Sequence, residues 1–185
     1  MRITTVNLSN NNRIFLLSDF FDTQIANDLL NLFRRFDSDP DSWHSPDTFG
    51  HRSGRYVYKG SDPTFDQVFK LAGSQQMMDQ MTSMSGKKVF FKGIELWTDL
   101  PGYTIIPHKD LDIYDHGCQI YITDTPNESL GTTFYEDPAR VLLQLPYRHN
   151  FGYSMDKTSE ILHGLSSSVP ENFLRHSIYL RYKQL

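Results

Sequence analysis

His108 and Asp110 stand two residues apart in PGYTIIPHKDLD, directly after an apolar run of strand type. An imidazole nitrogen and a carboxylate oxygen can both ligate a divalent cation. Side chains two apart on an extended chain point the same way, so a strand carried through Asp110 turns both to one side. Two ligands do not complete a site, and His-x-Asp also arises by chance in polar loops that follow strands. A third ligand has to come from elsewhere. The other histidines are His44, His51, His116, His149, His163 and His176. Of these His163 is set apart by context, because it closes the strand-like run SEILH and precedes Gly164 and the turn-forming LSSSVPEN. Asp112 and His116 offer a local cluster with His108, but DLDIYDHG reads as a loop between strands.

The next run, FLRHSIYLRY, alternates. Arg175, Ser177 and Tyr179 share one face, and Leu174, His176, Ile178 and Leu180 share the other. An arginine buried in mid-strand needs an anionic partner. An exposed arginine on an edge strand, paired with an Asp or Glu, is the alternative.

The elements that must position these residues change in character along the chain. In the first third, Phe21, Ile25, Leu29, Leu32, Phe33 and Phe36 recur at three- and four-residue steps, which predicts a helix with Asp22 as its cap. The pattern ends in DSDPDSWHSPD, which is turn chemistry. RYVYKG reads as a short strand, and Asp62-Pro63 opens a second helix with a Met-rich tail (Met77, Met78, Met81, Met84). From Lys88 onward come short β-branched and aromatic runs separated by turns: KVFFKGIELWT, YTIIPHKD, CQIYIT, GTTFYE, RVLLQL, HNFGYSM, SEILH and FLRHSIYLRY. That order predicts a β-sandwich or barrel, and no alternating helices suggest a parallel sheet. The expected organisation is a single domain over 1–185. About 1–86 would form helical support and entrance segments, and about 87–185 a jelly-roll catalytic core.

Composition narrows the function. Lys and Arg number 18 against 22 Asp and Glu, a formal charge of -4, which argues against a nucleic-acid groove. Cys118 is the only cysteine, so neither an internal disulfide nor a Cys-rich zinc motif is expected. With no basic-then-apolar leader and no run long enough to span a bilayer, the expectation is a cytoplasmic protein with no membrane partner. Gly-x-Ser-x-Gly, P-loop and dinucleotide-binding patterns are absent from the sequence.

Taken together, His108-x-Asp110, the later His163 and then Arg175-x-Ser177 resemble the iron(II)- and 2-oxoglutarate-dependent oxygenases, in their prolyl-4-hydroxylase-like branch. PGYTIIPHKD is similar to the Pro-Gly…Pro-His-x-Asp strand of that branch, CQIYIT to the strand after it, LGTTFYE to a Gly-Gly-x-Thr-x-Phe strand, and LRHSIYLRY to the closing strand. The likeness covers about residues 95–183. It implies a mainly β protein with N-terminal helices: a double-stranded β-helix, that is, a jelly-roll, cupin-like barrel with helices packed on one outer face. It implies that His108, Asp110 and His163 hold Fe(II), and that Arg175 takes the far carboxylate of the cosubstrate 2-oxoglutarate with Ser177 and Tyr121 beside it. O2 is the co-oxidant, and 2-oxoglutarate is oxidatively decarboxylated to succinate. Simple barrel packing is the other reading of Tyr121. Some members carry a lysine where Arg175 stands.

Two positions depart from the family pattern. Asp99 stands where many relatives carry a tyrosine, and a pair of glycines is reduced to Gly131. Both line the mouth in relatives and so bear on the primary substrate. Trp97, Tyr103 and Arg52, the last within HRSGRYVY, are candidates to shape that entrance. Peptidyl proline or a free amino acid or other small molecule is the expected primary substrate. Two rivals stay open: a cupin-like metal enzyme that does not use 2-oxoglutarate, and a non-catalytic jelly-roll binding module.

Overall fold

The computed structural model describes residues 1–8, 12–39, 54–58, 60–110, 116–156 and 161–185. Arg52, His44, His51 and Asp112 lie outside the described residues.

Helix α1 (Thr23–Ser38) forms where the apolar period predicts it. The Asp22 side chain accepts from the Ile25 amide at 2.9 Å, which satisfies one of the four amides that open the helix. Its inward face is Ile25, Ala26, Leu29, Leu32, Phe33 and Phe36, all buried. Each large apolar side chain on that face contributes roughly 1.5–3 kcal/mol on burial. Replacing Asp22 with alanine is expected to cost about 1 kcal/mol, read as a lower urea midpoint at unchanged slope. An unchanged midpoint would mean that the first turn is held by packing alone.

The second helical region is two helices. Helix α2 (Pro63–Ala72) starts at an Asp62 cap with Pro63 in its first turn. Helix α3 (Gln75–Ser85) carries the methionines and starts at Ser74, whose hydroxyl accepts from the Met77 amide at 3.3 Å. Gly73 and Ser74 break the chain between them. Met77, Met81 and Met84 are buried, so the Met-rich tail is core.

Two strands precede the first helix, contrary to the helical reading of the first third: β1 (Arg2–Asn7) and β2 (Arg13–Ser18). They form a hairpin in which Arg2 faces Ser18 and Asn7 faces Arg13. Strand β3 (Arg55–Val57) is the short strand expected in RYVYKG. Seven of the eight predicted C-terminal runs are strands: β4 (Val89–Asp99), β5 (His116–Tyr121), β6 (Thr133–Asp137), β7 (Arg140–Gln144), β8 (Phe151–Asp156), β9 (Leu162–Gly164) and β10 (Arg175–Gln184). The eighth, YTIIPHKD, is extended chain joined to β9 by one bridge between His108 and His163.

Among the described residues the strands form two antiparallel sheets. The larger has the order β1-β2-β8-β5-β10-β4-β3, and the smaller β7-β6-β9. Two opposed sheets with strands that alternate between them make the double-stranded β-helix. Side-chain alternation divides the large sheet's faces. Phe15, Leu17, Leu96, Cys118, Ile120, Ile178, Leu180 and Tyr182 pack on the three helices. The opposite face turns inward, where Ile14, Tyr153 and Met155 meet Phe134 of the small sheet. His116 and His176 share the helix-side parity. His176 Nε2 meets Asp37 Oδ2 at 3.2 Å and its ring stacks on Phe33, so it ties α1 to the sheet.

Candidate active site

His108 sits on extended chain whose backbone is held by a reciprocal pair of hydrogen bonds to β9. Its amide donates to the His163 carbonyl at 3.0 Å, and the His163 amide donates back at 2.9 Å. These two bonds bring together residues far apart in the chain. Gly164, next in β9, lies so close to the incoming segment that a Cβ there would meet the Ile105 carbonyl oxygen at 2.6 Å. Asp110 completes the group: His163 Nε2 lies 3.6 Å from its Oδ2, and His108 Nε2 lies 4.0 Å from its Oδ1.

One ligand atom from each of His108, Asp110 and His163 falls within 4.8 Å of the others, and among the described residues this is the one such cluster of His, Cys, Asp and Glu. His108 Nδ1 is 2.9 Å from the Ile106 carbonyl. A carbonyl only accepts, so Nδ1 carries the proton and the Nε2 lone pair faces the cluster. Two imidazole nitrogens and a carboxylate form the donor set that suits a first-row divalent ion such as Fe(II). His116 plays no part in the cluster; it bonds Ser154 on the helix side of the sheet.

Arg175 points inward and is 1% exposed. Its Nε donates to the Leu130 carbonyl at 2.6 Å and its Nη1 to Asp99 Oδ2 at 2.5 Å. Its guanidinium lies 5.2 Å from the Tyr121 ring centroid and 5.7 Å from that of Tyr147. Asp99 is fully buried, directly opposite Arg175 in the β10–β4 register. It has a second partner, Arg55 of β3, whose Nε is 2.5 Å from Oδ1 and whose Nη2 is 3.1 Å from Oδ2. Burial alone would push the Asp99 carboxyl up. The guanidiniums of Arg55 and Arg175 outweigh it and hold the carboxyl below the usual carboxylate range.

A buried polar chain shares the sheet face of Arg175. Tyr153 Oη donates to Gln119 Oε1 at 3.1 Å, and Gln119 Nε2 donates to Ser177 Oγ at 3.0 Å. Tyr121 Oη donates to Thr132 Oγ1 at 2.8 Å and accepts from the Thr132 amide at 2.7 Å. Burial, and after it the neighbouring Tyr121 and the Asp110 carboxylate, push the Tyr153 phenol up, so it stays neutral and can donate.

Of the described residues of the sequence-derived site, His163, Arg175, Ser177, Tyr121, Trp97 and Tyr103 are buried, and His108 and Asp110 are half-buried. Ser177 lies two residues from Arg175 on the same strand and accepts from Gln119, and Tyr121, whose ring faces the guanidinium, is bonded to Thr132. Trp97 and Tyr103 are buried and bracket Arg55, whose guanidinium lies 4.1 Å and 4.7 Å from their ring centroids. The residues that sequence reasoning passed over are Arg55, Gln119, Thr132 and Tyr153. Gln119 shares strand parity with Tyr121, which was a usable signal. Arg55 lies in HRSGRYVY, a stretch considered for the entrance, but its role carried no signal, because its partner Asp99 is far away in the chain.

Comparison with known proteins adds the following. No family model matches the chain, and no curated protein matches it at the sequence level. Solved structures do. A prolyl-4-hydroxylase from Pseudomonas putida superposes with a TM-score of 0.70 at 13% identity, covering 93% of this chain and 92% of that one. A prolyl hydroxylase from Trichoplax adhaerens, in complex with a peptide fragment of the hypoxia-inducible factor oxygen degradation domain, gives 0.70 at 12%, covering 95% and 85%. HygX from Streptomyces hygroscopicus, with nickel, 2-oxoglutarate and hygromycin B bound, gives 0.66 at 11%, covering 92% and 82%. At these identities the likeness is one of fold: over almost its full length the chain has the double-stranded β-helix of the Fe(II)- and 2-oxoglutarate-dependent oxygenases.

Proposed function

We propose that this protein belongs to that oxygenase family and is an Fe(II)- and 2-oxoglutarate-dependent dioxygenase that hydroxylates its primary substrate. The observation that carries the reading is the convergence of His108, Asp110 and His163 in a fold that also buries Arg175. When bound, the iron supplies the activation of O2 that couples oxidative decarboxylation of the keto acid to attack on a substrate C–H bond.

The chain's own residues do the rest. His108, Asp110 and His163 hold the metal, with the Ile106 carbonyl fixing the His108 tautomer. Arg175 takes the far carboxylate of 2-oxoglutarate, with Ser177 and the Tyr121 ring beside it. Tyr153 and Gln119 line the space between and keep their polar atoms satisfied in a site that excludes water. Trp97 and Tyr103 shape the entrance through the Arg55 they enclose. The branch of the family that the sequence resembles favours a peptidyl prolyl residue or a free amino acid or other small molecule as primary substrate. The peptide bound to the Trichoplax enzyme and the antibiotic bound to HygX show that this fold accepts both sizes.

The test is succinate release from 2-oxoglutarate, with added Fe(II) and air, across a panel of amino acids, prolyl peptides and small metabolites. At least one member of the panel is expected to raise succinate release several-fold over the unprimed rate. Stoichiometric metal binding with no succinate under any substrate would point to a cupin-like enzyme. No metal binding at all would point to a binding module.

A further inference from the structure

The Arg175 guanidinium is already engaged by the protein. A guanidinium grips a carboxylate through two parallel N–H bonds along one edge, either Nε with Nη2 or Nη1 with Nη2. Here both edges include a nitrogen that already donates: Nε to the Leu130 carbonyl at 2.6 Å and Nη1 to Asp99 at 2.5 Å. The Leu130 carbonyl is fixed by the backbone. Asp99 is not tied to Arg175 alone, because both its oxygens also accept from Arg55, at 2.5 Å and 3.1 Å. It can release Arg175 and keep a two-point partner.

We propose that Asp99 is an internal competitor for Arg175, a specificity-determining carboxylate that sets how tightly the barrel takes the far carboxylate of a dicarboxylate, with Arg55 as the partner to which it retreats. The inference rests on the reading of Arg175 as the cosubstrate's anchor. It follows from the contacts of one buried cluster of three charges, Arg55, Asp99 and Arg175. A carboxylate on Nη1 both occupies a donor and neutralises the charge that attracts an incoming anion, so whatever weakens the Asp99–Arg175 bond strengthens binding. Arg55 does so by drawing Asp99 to itself. It belongs to β3, beside Trp97 and Tyr103 at the proposed entrance, so capture of the diacid and the packing of that strand are linked.

Two substitutions should act in opposite directions. In Zn(II)-loaded protein without oxygen, titrated with 2-oxoglutarate by calorimetry, Asp99→Asn keeps the side-chain shape and removes the charge. It should bind about tenfold tighter. Arg55→Gln leaves Asp99 with Arg175 as its remaining strong partner in the cluster and should bind several-fold more weakly. A merely structural role for Asp99 predicts the reverse for the first variant, because Arg175 would lose its support. Weaker or unchanged binding by Asp99→Asn overturns the proposal, as does unchanged or tighter binding by Arg55→Gln. Should Asp99→Asn fail to fold, Arg55→Gln decides the matter alone. Arg175→Met is the separating control. Unchanged affinity there would refute the anchoring role of Arg175 itself, whereas lost affinity together with a wrong sign in the other two would refute only the competition.

Discussion

His163→Ala is expected to lower the affinity for Fe(II) by at least about 100-fold, since losing even an outer-shell partner of a metal ligand costs roughly 10–100-fold. Succinate formation should fall with it. His163 sends its ring toward Asp110 while its backbone pairs with His108 through bonds of 3.0 Å and 2.9 Å. The substitution removes the ring and leaves those bonds, so the fold should survive. The check is iron content after anaerobic loading and desalting, alongside a circular dichroism spectrum. A folded variant that still retains one iron per chain would sink the assignment of the three ligands. His108→Ala should behave alike, because its Nε2 is aimed at the same point by the Ile106 carbonyl.

The second large effect is on stability. Arg175→Met removes one of the two cations that hold the buried Asp99, and breaking a buried pair outright costs about 3–5 kcal/mol. Asp99 keeps Arg55, so the lower end, about 3 kcal/mol, is expected. Urea unfolding at pH 7 should show it as a lower midpoint. A loss under about 1 kcal/mol would mean that Asp99 draws nearly all its compensation from Arg55. The pH dependence has a definite sign. The folded-state pKa of Asp99 is held below its unfolded value, so its contribution is fully present above about pH 4. That contribution is lost as pH falls further, through the folded pKa. The gap between wild type and Arg175→Met should therefore be constant from neutrality down to about pH 4 and narrow below it.

The faces of the strands were legible in the residues themselves. In FLRHSIYLRY the period of two sets Arg175 and Ser177 on one face and Ile178 and Leu180 on the other, and the packing follows that division, with the second face against the helices. Helix starts were equally legible, because Asp22 and the Asp62-Pro63 pair satisfy or dispense with amides that every helix leaves open. The hairpin of β1 and β2 was missed because its exposed outer strand shows no apolar alternation, and its pairing with β8 joins residues at opposite ends of the chain. The split between α2 and α3 was missed because Gly73-Ser74 interrupts an apolar pattern without a proline.

Residue type and local period, then, determined which side chains could ligate a metal or face an interior, since both are properties of a few neighbouring residues. Which of them meet was decided by tertiary structure alone. His163 reaches His108 because one antiparallel bridge joins the His108 segment to β9. Arg55, Asp99 and Arg175 converge because β3, β4 and β10 lie side by side in register. Register comes from the hydrophobic match of whole sheets, and no short stretch of chain carries it.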